Sequence, residues 1–517
     1  LEAANNRVAA LYDLGRLDEA EAAARRALER HPDSPALHTN LGNVLLLSAQ
    51  ARGAVKSFRR AIELDPACVE PRFALSMLLG ETAHLGDAIE LIEHEIAVKG
   101  ENAQRLATLA LTQQARGDLP AAEATCRRVV AMSPDNIASL VTLAGCLSAR
   151  GDHRGALALY EQALRIRPQM PNIRTNIAFV ATHIPDMAPE EVFDLHRQWA
   201  LHHEEPLADR RYRHEPGSDP EKKLRIGYVS GDLGYHPVGF LIRDVLPHHD
   251  RERHEIHMFS MMRADDDITA DIRRRCDVWH DVLLDSDEEV AHRVHEAGVD
   301  ILVDLSGHTA YNRLVSFALK PAPVQATWIG YFHSTGLNAI DYFITDPHTS
   351  PPERGQLFSE TPVRMPHSRF CYAPPAYAPA PAPPPVLQRG YVTFGCFNRQ
   401  EKLTDEVIAL WADLLRRMPD ARLLLKAGSL DNETVADGLR ARFSAHGADP
   451  ERIELRGRSS HAEMFAEYGD VDIALDPFPF NGGMTTLEAL WMGVPVVTLT
   501  GQGVVSRQYF SVLANIG

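Results

Sequence analysis

A glycine turn near the C-terminal end of the sequence has residue types that suit a phosphate group. Residues 481–483 read Asn-Gly-Gly and separate a short apolar run from a helical segment. Such a turn leaves backbone N–H groups at the positive end of a helix, and Thr485 and Thr486 add hydroxyl donors, so that the turn can hold a diphosphate. Glu488, one helical turn further on, can accept hydrogen bonds from ribose hydroxyls. On shape alone, the segment could equally be an ordinary strand–helix–strand crossover with a threonine cap.

A second polar cluster follows a predicted strand at 391–397. It consists of Asn398, Arg399 and Lys402. Departure of a nucleoside diphosphate leaves extra negative charge on the β-phosphate, and without a metal a cation must stabilise that charge. We favour Lys402 for this role over Arg399, and the ordinary alternative for both is a solvated surface position.

Two of the 24 histidines lie where a parallel sheet binds its ligands. His236 follows the strand predicted at 224–230, and His308 follows the strand predicted at 299–305. Ligands of such sheets sit at the carboxyl ends of the strands, and imidazole titrates near neutral pH, so either ring could take a proton from an alcohol. No histidine pair has H-E-x-x-H spacing, so we expect no metalloprotease site.

Two acidic segments have the D-x-D spacing with which some sugar-nucleotide enzymes hold a divalent cation. They are residues 265–267, in a charged loop, and the pair Asp470 and Asp472, which leads straight into an apolar strand. We interpret both as structural. The sequence therefore predicts chemistry that uses no metal ion and no other cofactor.

The segments that must position these residues alternate between strand and helix in two blocks, at 223–372 and 389–517. The predicted strands are 224–230, 254–260, 299–305, 325–331 and 341–345 in the first block, and 391–397, 422–426, 452–455, 471–475 and 494–499 in the second. This alternation predicts two Rossmann-like α/β domains, each with a mostly parallel sheet. Residues 373–388, between them, are too rich in proline for a helix or a central strand, and we expect a semi-rigid linker.

The first part of the chain repeats with a period of 34 residues. Two sets of positions recur in phase: Pro32, Pro66, Gly100, Pro134 and Pro168, and Ala20, Ala54, Ala88, Ala122 and Ala156. This period, with alanines at helix crossings and proline after the second helix, is typical of the tetratricopeptide repeat. We expect residues 1–180 to form an all-α superhelix whose concave face binds an extended peptide or another protein. Residues 181–222 are interpreted as a capping helix and a linker, with the domain boundary near Pro216, Gly217 and Ser218.

Asparagine recurs at one phase of the repeat, at Asn6, Asn40 and Asn176. Packing does not require an amide there, because small or apolar residues fill helix crossings at lower cost. An amide offers a donor and an acceptor together, so these side chains could bind the backbone of a peptide. Local capping or hydrogen bonds between repeats would also explain them.

The composition limits the classes of partner. A formal net charge of −17 argues against a general nucleic-acid binder, since phosphate contacts need clustered lysine and arginine. Six widely spaced cysteines without a C-x-x-C pair fit a reducing cytoplasm and no structural zinc. No apolar run is long enough to span a bilayer, and we find no secretory signal. The chain begins at Leu1 without a methionine, which fits a missing natural N-terminus.

Together these residues resemble the O-linked N-acetylglucosamine (O-GlcNAc) transferases, in a bacterial version. The resemblance covers nearly the whole chain, from tetratricopeptide repeats through a capping helix to two catalytic domains of the GT-B type. Its most specific segments are SGDLGYHP at 230–237, KPAPVQ at 320–325, GY at 330–331, DYFITD at 341–346, FN at 397–398 with Lys402, NG at 481–482 and LW at 490–491.

The resemblance implies that UDP-N-acetylglucosamine (UDP-GlcNAc) donates its sugar, with inversion, to serine or threonine of a protein that the repeats recruit. It implies that His236 is the catalytic base, a disputed role in the family, and that Lys402 neutralises the leaving diphosphate. His308 is then a second candidate base or an acceptor contact. The implied donor-binding residues are Asn398, Arg399, His461, Gly482, Gly483, Met484, Thr485, Thr486 and Glu488.

Several positions depart from the family pattern. Gly483 and Met464 stand where the family has histidines, the second of which stacks on uracil, and His461 stands where it has a lysine. Glu488 takes the place of an aspartate that holds the ribose. The chain also ends at Gly517, before the helices that usually complete such a fold, so we expect a truncated second domain. Two alternatives stay open: a protein glycosyltransferase with another UDP-sugar or an asparagine acceptor, and a catalytically weak repeat scaffold that binds nucleotide and partners.

Overall fold

A computed structural model of the protein describes residues 1–48, 50–66, 68–79, 85–215, 219–263 and 265–517. Pro216, Gly217 and Ser218, at the predicted domain boundary, lie outside the described residues. The helices of the repeats are α1 (Glu2–Asp13), α2 (Leu17–Arg30), α3 (Pro35–Leu47), α4 (Ala51–Leu64), α5 (Val69–Leu79), α6 (Leu85–Lys99), α7 (Ala103–Arg116), α8 (Leu119–Met132), α9 (Ile137–Ala149) and α10 (His153–Ile166). None of the helices described is both long and apolar enough to cross a bilayer.

The period of the sequence sets where these helices begin. The second helix of each pair begins at Leu17, Ala51, Leu85, Leu119 and His153, at intervals of 34 residues. The in-phase alanines are all buried, namely Ala20, Ala54, Ala88, Ala122 and Ala156. A methyl side chain lets neighbouring helices approach closely at these crossings. The prediction of a tetratricopeptide superhelix is confirmed.

Two further helices, α11 (Pro171–Ala181) and α12 (Pro189–His203), end the superhelix. Trp199 on α12 is fully buried against the core of the first α/β domain, where it shares a cluster with Val229. Just beyond the helix, the carboxylate of Glu204 accepts hydrogen bonds from the backbone N–H groups of Asn338 (2.9 Å) and Ala339 (2.6 Å). The predicted capping helix therefore fixes the superhelix to the first α/β domain.

The first α/β domain contains a parallel sheet with strand order β3-β2-β1-β4-β5-β6-β7. Its strands are β1 (Leu224–Ser230), β2 (His254–Ser260), β3 (Val278–Asp281), β4 (Ile301–Asp304), β5 (Val324–Thr327), β6 (Tyr342–Thr345) and β7 (Thr361–Arg364), and its helices are α13 (Pro237–Val245), α14 (Asp267–Arg275), α15 (Asp287–Glu296) and α16 (Leu314–Ala318). The sequence analysis missed the edge strands β3 and β7. Both are short, and β7 contains Pro362, which an edge strand tolerates because one of its sides forms no ladder.

The second α/β domain contains a parallel sheet with strand order β10-β9-β8-β11-β12. Its strands are β8 (Thr393–Cys396), β9 (Arg422–Lys426), β10 (Ile453–Arg456), β11 (Ile473–Leu475) and β12 (Val496–Val497), and its helices are α17 (Val386–Arg389), α18 (Asp405–Arg417), α19 (Glu433–Ala445), α20 (His461–Glu467), α21 (Met484–Trp491) and α22 (Gln508–Ile516). The helical repeats are thus followed by two α/β domains, each with a parallel sheet, as the predicted GT-B fold class requires.

Several predicted strands are longer than the observed ones, and in two of them four predicted residues lie outside the observed strand. The strand predicted at 325–331 ends at Thr327, because the chain then turns so closely that a Cβ atom at Gly330 would lie 1.6 Å from the carbonyl oxygen of Leu305. The strand predicted at 494–499 is reduced to β12, because its partner β11 offers only three residues. Alternation of apolar residues predicted the strands but not the backbone contacts that end them.

Each sheet reverses its strand order once within the described part of the chain. The reversal lies between β1 and β4 in the first sheet and between β8 and β11 in the second. Loops that leave such neighbouring strands in opposite directions open a crevice at the carboxyl ends. His236 and His308 follow β1 and β4, and Lys402 and Gly482 follow β8 and β11. The fold therefore places the predicted chemistry at the reversal point of both sheets.

The last repeats contact the second α/β domain. His153, the first residue of α10, donates from Nε2 to the carbonyl oxygen of Glu401 (2.6 Å). The ring of His183, just after α11, stacks on Phe480 with centroids 4.2 Å apart. The superhelix thus touches the loops that follow β8 and β11.

The first repeats fold back on the first α/β domain. Leu284 packs against the hydrophobic cluster of α1 to α4. Arg52, in the first turn of α4, forms an ion pair with the buried Asp285, which also pairs with Arg293 (2.8 Å). The superhelix therefore contacts the α/β domains near both of its ends.

Candidate active site

A cavity of about 570 Å³ lies where the two α/β domains and the superhelix meet. It is lined by His236 and His308 of the first domain, by Lys402 and Thr485 of the second, and by Asn176 of the superhelix. The other predicted residues in its lining are Asn398, Arg399, Gly483 and Met484. Ligand sites of this size are common between domains. The structure thus brings most of the predicted site residues into one space.

His236 is the N-cap residue of α13. The backbone N–H of Val238 donates to its Nδ1 atom (3.4 Å), and Oδ2 of Asp232 lies 3.8 Å from the same atom. Partial burial lowers the pKa of His236, although the Asp232 carboxylate acts in the opposite direction. Burial also raises the pKa of Asp232. The ring is therefore neutral near pH 7, and with Nδ1 accepting from Val238 it carries its proton on Nε2.

Lys402 lies between the loops that follow β8 and β11. Its Nζ atom donates to the carbonyl oxygen of Asn481 (2.7 Å) and to Oδ1 of Asn398 (3.3 Å), and lies 4.6 Å from the centroid of the Phe480 ring. Desolvation lowers the pKa of Lys402 to about 8, and the nearby Asp476 carboxyl opposes this shift. At pH 7 the ammonium group is therefore mostly protonated and can meet a developing negative charge.

The glycine turn is held from behind by the buried Asp476. Its Oδ1 atom accepts from the backbone N–H of Gly482 (2.6 Å), and its Oδ2 atom accepts from the hydroxyl of Thr498 (2.6 Å). A Cβ atom at Gly482 would lie 3.0 Å from Asp476 Oδ1 and 3.1 Å from Thr486 Oγ1, so a side chain there would crowd the two side chains that hold the turn. Burial raises the pKa of Asp476 to about 6. Gly482 and Thr486 shape the turn and do not line the cavity.

Helix α21 presents its N-terminal end to the cavity. Gly483 is the N-cap residue, and a Cβ atom built there would meet no atom within 4 Å. Thr485 donates from its hydroxyl to Oδ1 of Asn398 (3.4 Å), which also accepts from Lys402. Because the N-cap has no side chain, an anion in the cavity can approach the first amides of the helix together with the Thr485 hydroxyl.

Glu488 and His461 form a buried pair beside this helix end. His461 donates from Nε2 to Oε1 of Glu488 (2.7 Å), and the two side chains are 10% and 2% exposed. Met464, at the position where the family resemblance implied a histidine, packs against the cluster that contains Phe397. Neither Glu488 nor His461 lines the cavity, but Leu487, next to Glu488, does.

His308 is fully buried at the cavity wall. It donates from Nε2 to the carbonyl oxygen of Thr335 (2.7 Å), and its Nδ1 atom has no hydrogen-bond partner among the described residues. Burial lowers the pKa of His308 to about 4, so the ring is neutral. A neutral ring with this tautomer can accept a hydrogen bond at Nδ1, for instance from a ligand hydroxyl.

The three in-phase asparagines do not act as one set. Asn176, on α11, lines the cavity. Asn40 donates to Oδ1 of Asn5 (2.8 Å), which belongs to the preceding repeat, and Asn6 is exposed on α1. The contact of Asn40 corresponds to the alternative of hydrogen bonds between repeats.

The two D-x-D segments are engaged in structural contacts. Asp470 pairs with Arg456 (2.8 Å), and Asp472 accepts from the backbone N–H groups of Val386 (2.9 Å) and Thr393 (2.8 Å). In the other segment, Asp265 pairs with Arg273 and Asp266 caps α14. Within the described ranges, no group of three or more histidine, cysteine or acidic residues is arranged to hold a metal ion.

Three residues at the site were missed by the sequence analysis. Asp232 adjoins His236 and lies in the same strand-end loop, a position that could have identified it. Phe480 contacts Lys402, and Tyr377 accepts or donates a hydrogen bond at Nδ1 of His461 (2.7 Å). No local pattern identifies the contacts of these two aromatic residues, because their partners are far away in the sequence.

Comparison with protein families assigns both halves of the chain. Residues 189–373 and 386–517 match the family described as glycosyl transferase family 41. Residues 6–68 and 113–174 match tetratricopeptide repeats. The family match covers the capping helix and the two α/β domains, and the α/β domains supply the cavity-lining residues that lie outside the superhelix.

Curated relatives give the same assignment. The probable UDP-N-acetylglucosamine–peptide N-acetylglucosaminyltransferase SPINDLY of Petunia hybrida is 35% identical over 360 residues, which are 68% of this chain and 38% of that protein. The probable transferase of the same description named SEC, of Arabidopsis thaliana, is 30% identical over 300 residues, which are 55% of this chain and 30% of that protein. The chain thus spans less than half of the length of these relatives.

A solved structure matches over both the repeats and the α/β domains. A mutant of the O-GlcNAc transferase of Thermobaculum terrenum superposes with a TM-score of 0.78 at 34% sequence identity, covering 85% of this chain and 84% of that one. The match confirms the predicted fold class and the resemblance to O-GlcNAc transferases. The chain therefore belongs to glycosyl transferase family 41.

Proposed function

We propose that the protein transfers N-acetylglucosamine from UDP-GlcNAc to serine or threonine hydroxyls of proteins in the cytoplasm, with inversion and without a metal ion. The observation that carries this proposal is the shared cavity, to which His236, Lys402 and the N-terminal end of α21 all contribute. The names of the relatives in Petunia and Arabidopsis, which describe transfer of this sugar from UDP to peptides, support the donor and the acceptor class.

The second domain would bind the donor. The diphosphate would meet the first amides of α21 and the hydroxyl of Thr485, with Lys402 beside it. Bond cleavage at the anomeric carbon leaves an additional negative charge on the β-phosphate. The ammonium group of Lys402 and the helix end stabilise this charge in place of a metal ion.

The first domain and the superhelix would position the acceptor. Asn176 places the superhelix at the cavity wall, so a peptide that follows the concave face can reach the sugar. The acceptor hydroxyl attacks the anomeric carbon from the face opposite UDP and loses its proton. With its proton on Nε2, His236 orients oxygen atoms in the cavity, and the proton of the acceptor hydroxyl passes to the carboxylate of Asp232, which also lines the cavity and lies 3.8 Å from Nδ1 of this ring.

Calorimetry in EDTA tests the donor site first. We expect UDP and UDP-GlcNAc to bind without metal, GDP to bind more weakly, and Glu488→Ala to lose UDP binding. Glu433→Ala, at an exposed glutamate on α19, is the matched control and should bind UDP normally. Transfer is then assayed on a peptide library by mass spectrometry. Addition of N-acetylhexosamine to serine or threonine supports the proposal.

A related function has one specific observation in its favour. Gly483 and Met464 stand where the family resemblance implied histidines that contact the donor, so the pocket for base and sugar is altered. A protein glycosyltransferase with another UDP-sugar would prefer that donor in the calorimetric panel, and an asparagine acceptor would appear in peptide mapping. Binding of UDP without transfer to any acceptor would favour a repeat scaffold and overturn the proposed activity.

A further inference from the structure

A chain of hydrogen bonds joins the two α/β domains through the proline-rich segment. The hydroxyl oxygens of Tyr235 and Tyr377 are 2.8 Å apart, and the Tyr377 oxygen is 2.7 Å from Nδ1 of His461. His461 Nε2 is in turn 2.7 Å from Oε1 of Glu488. We call these four residues the tyrosine relay. It begins next to His236 and ends at the carboxylate expected to hold the ribose.

The acceptor at one end fixes the direction of every donor in the relay. An ionised carboxylate only accepts, so His461 carries a proton on Nε2 and donates it to Glu488. In this tautomer Nδ1 accepts, so the hydroxyl of Tyr377 donates to it. The Tyr377 oxygen can accept in turn from the hydroxyl of Tyr235. The ring nitrogen that this tautomer leaves as an acceptor is therefore satisfied by a tyrosine outside the domain of His461.

The apolar surroundings of His461 raise the cost of losing one of its hydrogen bonds. Its ring is enclosed by aromatic rings of both domains, with centroids 5.1 Å from Phe240 and 4.9 Å from Phe465. The side chain of Glu488 is only 2% exposed. In such an apolar enclosure a ring nitrogen or a carboxylate oxygen without a partner carries the full desolvation cost. Removal of the Tyr377 hydroxyl would take away the protein partner of Nδ1 on the side of the ring where Tyr377 is exposed.

The sequence of the linker singles out the same tyrosine. Every residue from 373 to 385 is alanine or proline except Tyr377. A proline-rich stretch is semi-rigid, so it delivers its one long side chain to a defined place. Because Tyr235 belongs to the first domain and His461 to the second, Tyr377 bonds to both sides of the cleft at once.

We propose that Tyr377, with Tyr235, is a positioning residue for the donor. Together they hold the His461 tautomer whose Nε2 proton orients the Glu488 carboxylate, and each oxygen of that carboxylate keeps acceptor capacity for ribose hydroxyls. The relay thus couples recognition of the ribose to the approach of the loop that carries His236. This inference rests on the proposed function, because it needs a nucleotide bound at Glu488.

Two nucleotides that differ only in the ribose test the inference. We would measure dissociation constants of UDP and 2′,3′-dideoxy-UDP by calorimetry for the wild type, Tyr377→Phe, Tyr235→Phe and His461→Ala. The wild type should prefer UDP. Tyr377→Phe should reduce that preference between about threefold and tenfold, the value of one hydrogen bond, and leave the dideoxy nucleotide unaffected. Tyr235→Phe should act in the same direction, and His461→Ala should act most strongly.

The outcomes separate the relay from the proposed function. Tyr342→Phe, at an exposed tyrosine on β6, is the control and should leave the preference unchanged. An unchanged preference in Tyr377→Phe, or an equal loss for both nucleotides, would overturn the positioning role. A wild type that binds UDP and 2′,3′-dideoxy-UDP equally well would overturn the ribose contact and the relay with it. The proposal that UDP-GlcNAc is the donor would remain. A wild type that binds no UDP would instead overturn the proposed function itself.

Discussion

At the scale of single residues, Lys402 combines two properties that a leaving-group cation needs. Its Nζ atom is fixed by the Asn481 carbonyl and the Asn398 side chain, and it lines the same cavity as the first turn of α21. Both acceptors are neutral, so the positive charge is not cancelled by a direct ion pair. A preorganised cation of this kind contributes most when negative charge develops during the reaction.

We predict that Lys402→Ala lowers kcat by roughly 10²–10³-fold, the usual cost of removing one preorganised charge stabiliser. UDP affinity should fall much less, because the helix end and Glu488 remain. Steady-state kinetics measures kcat, and calorimetry measures the UDP affinity. Arg417→Ala, on α18, is the control: its side chain is 77% exposed and does not line the cavity, so it should change kcat only slightly. Transfer at the wild-type rate in Lys402→Ala would contradict the assignment.

The pH dependence follows from the same group. Desolvation lowers the pKa of Lys402 to about 8, so the protonated form is lost as the pH rises through this value. We therefore expect kcat/KM to fall above about pH 8. On the acid side, burial raises the pKa of Asp232, whose ionised carboxylate the proposed proton removal needs, so the fall should begin above the ordinary range of aspartic acid.

A pH–rate profile over both limbs checks this expectation. In Lys402→Arg the guanidinium group stays protonated, so the alkaline limb of the residual activity should move to higher pH. An alkaline limb that stays in place in Lys402→Arg would show that another group titrates there.

At the scale of elements, the end of the superhelix supports the loop that holds Lys402. The ring of His183 stacks on Phe480, the residue before Asn481, and His153 bonds to the carbonyl of Glu401, the residue before Lys402. Burial lowers the pKa of His183 well below its usual range, so this ring is a neutral packing surface. Two histidines of the repeats thus hold both chain segments that flank the ammonium group.

We predict that His183→Ala lowers kcat on the order of tenfold or more, because a small displacement of a positioned group is costly. KM for the donor should change less, since Glu488 and its partner are remote from this contact. His31→Ala, at an exposed histidine after α2, is the control for the loss of an imidazole from the repeats. Equal activity of the two variants would mean that the superhelix does not position Lys402.

The elements differ in how well the sequence predicted them. The repeat helices were predictable because each contact recurs every 34 residues, as the buried alanines show. The central strands were predictable from continuous apolar runs, whereas β3 and β7 were missed because edge strands are short and half exposed. His236 and Lys402 could be found as strand-end residues. His183 and Tyr377 could not, since each acts through a side chain of another domain and no local pattern encodes that pairing.

At the scale of the whole molecule, the superhelix and the α/β domains form a closed arrangement. The last repeats pack on both α/β domains, and the first repeats reach the first domain through Leu284 and the ion pair of Arg52 with Asp285. Asp285 is fully buried and is shared with Arg293, so this contact is more than a surface charge pair. In the proposed function, a long acceptor segment bound on the superhelix would pass this contact between the first repeats and the first domain.

We predict that Leu284→Asp separates the first repeats from the first domain, because it places a charge against an apolar cluster. The radius of gyration from small-angle scattering should rise, and KM for a long peptide should change while UDP affinity stays constant. Glu288→Arg, which removes the exposed pair with Arg210 nearby, is the control and should leave the radius unchanged. If the radius of Leu284→Asp equals that of the wild type, the repeats hold their position without this contact. The position of the first repeats would then be set by the superhelix alone, and the contact at Leu284 would not control the space between the first repeats and the first domain.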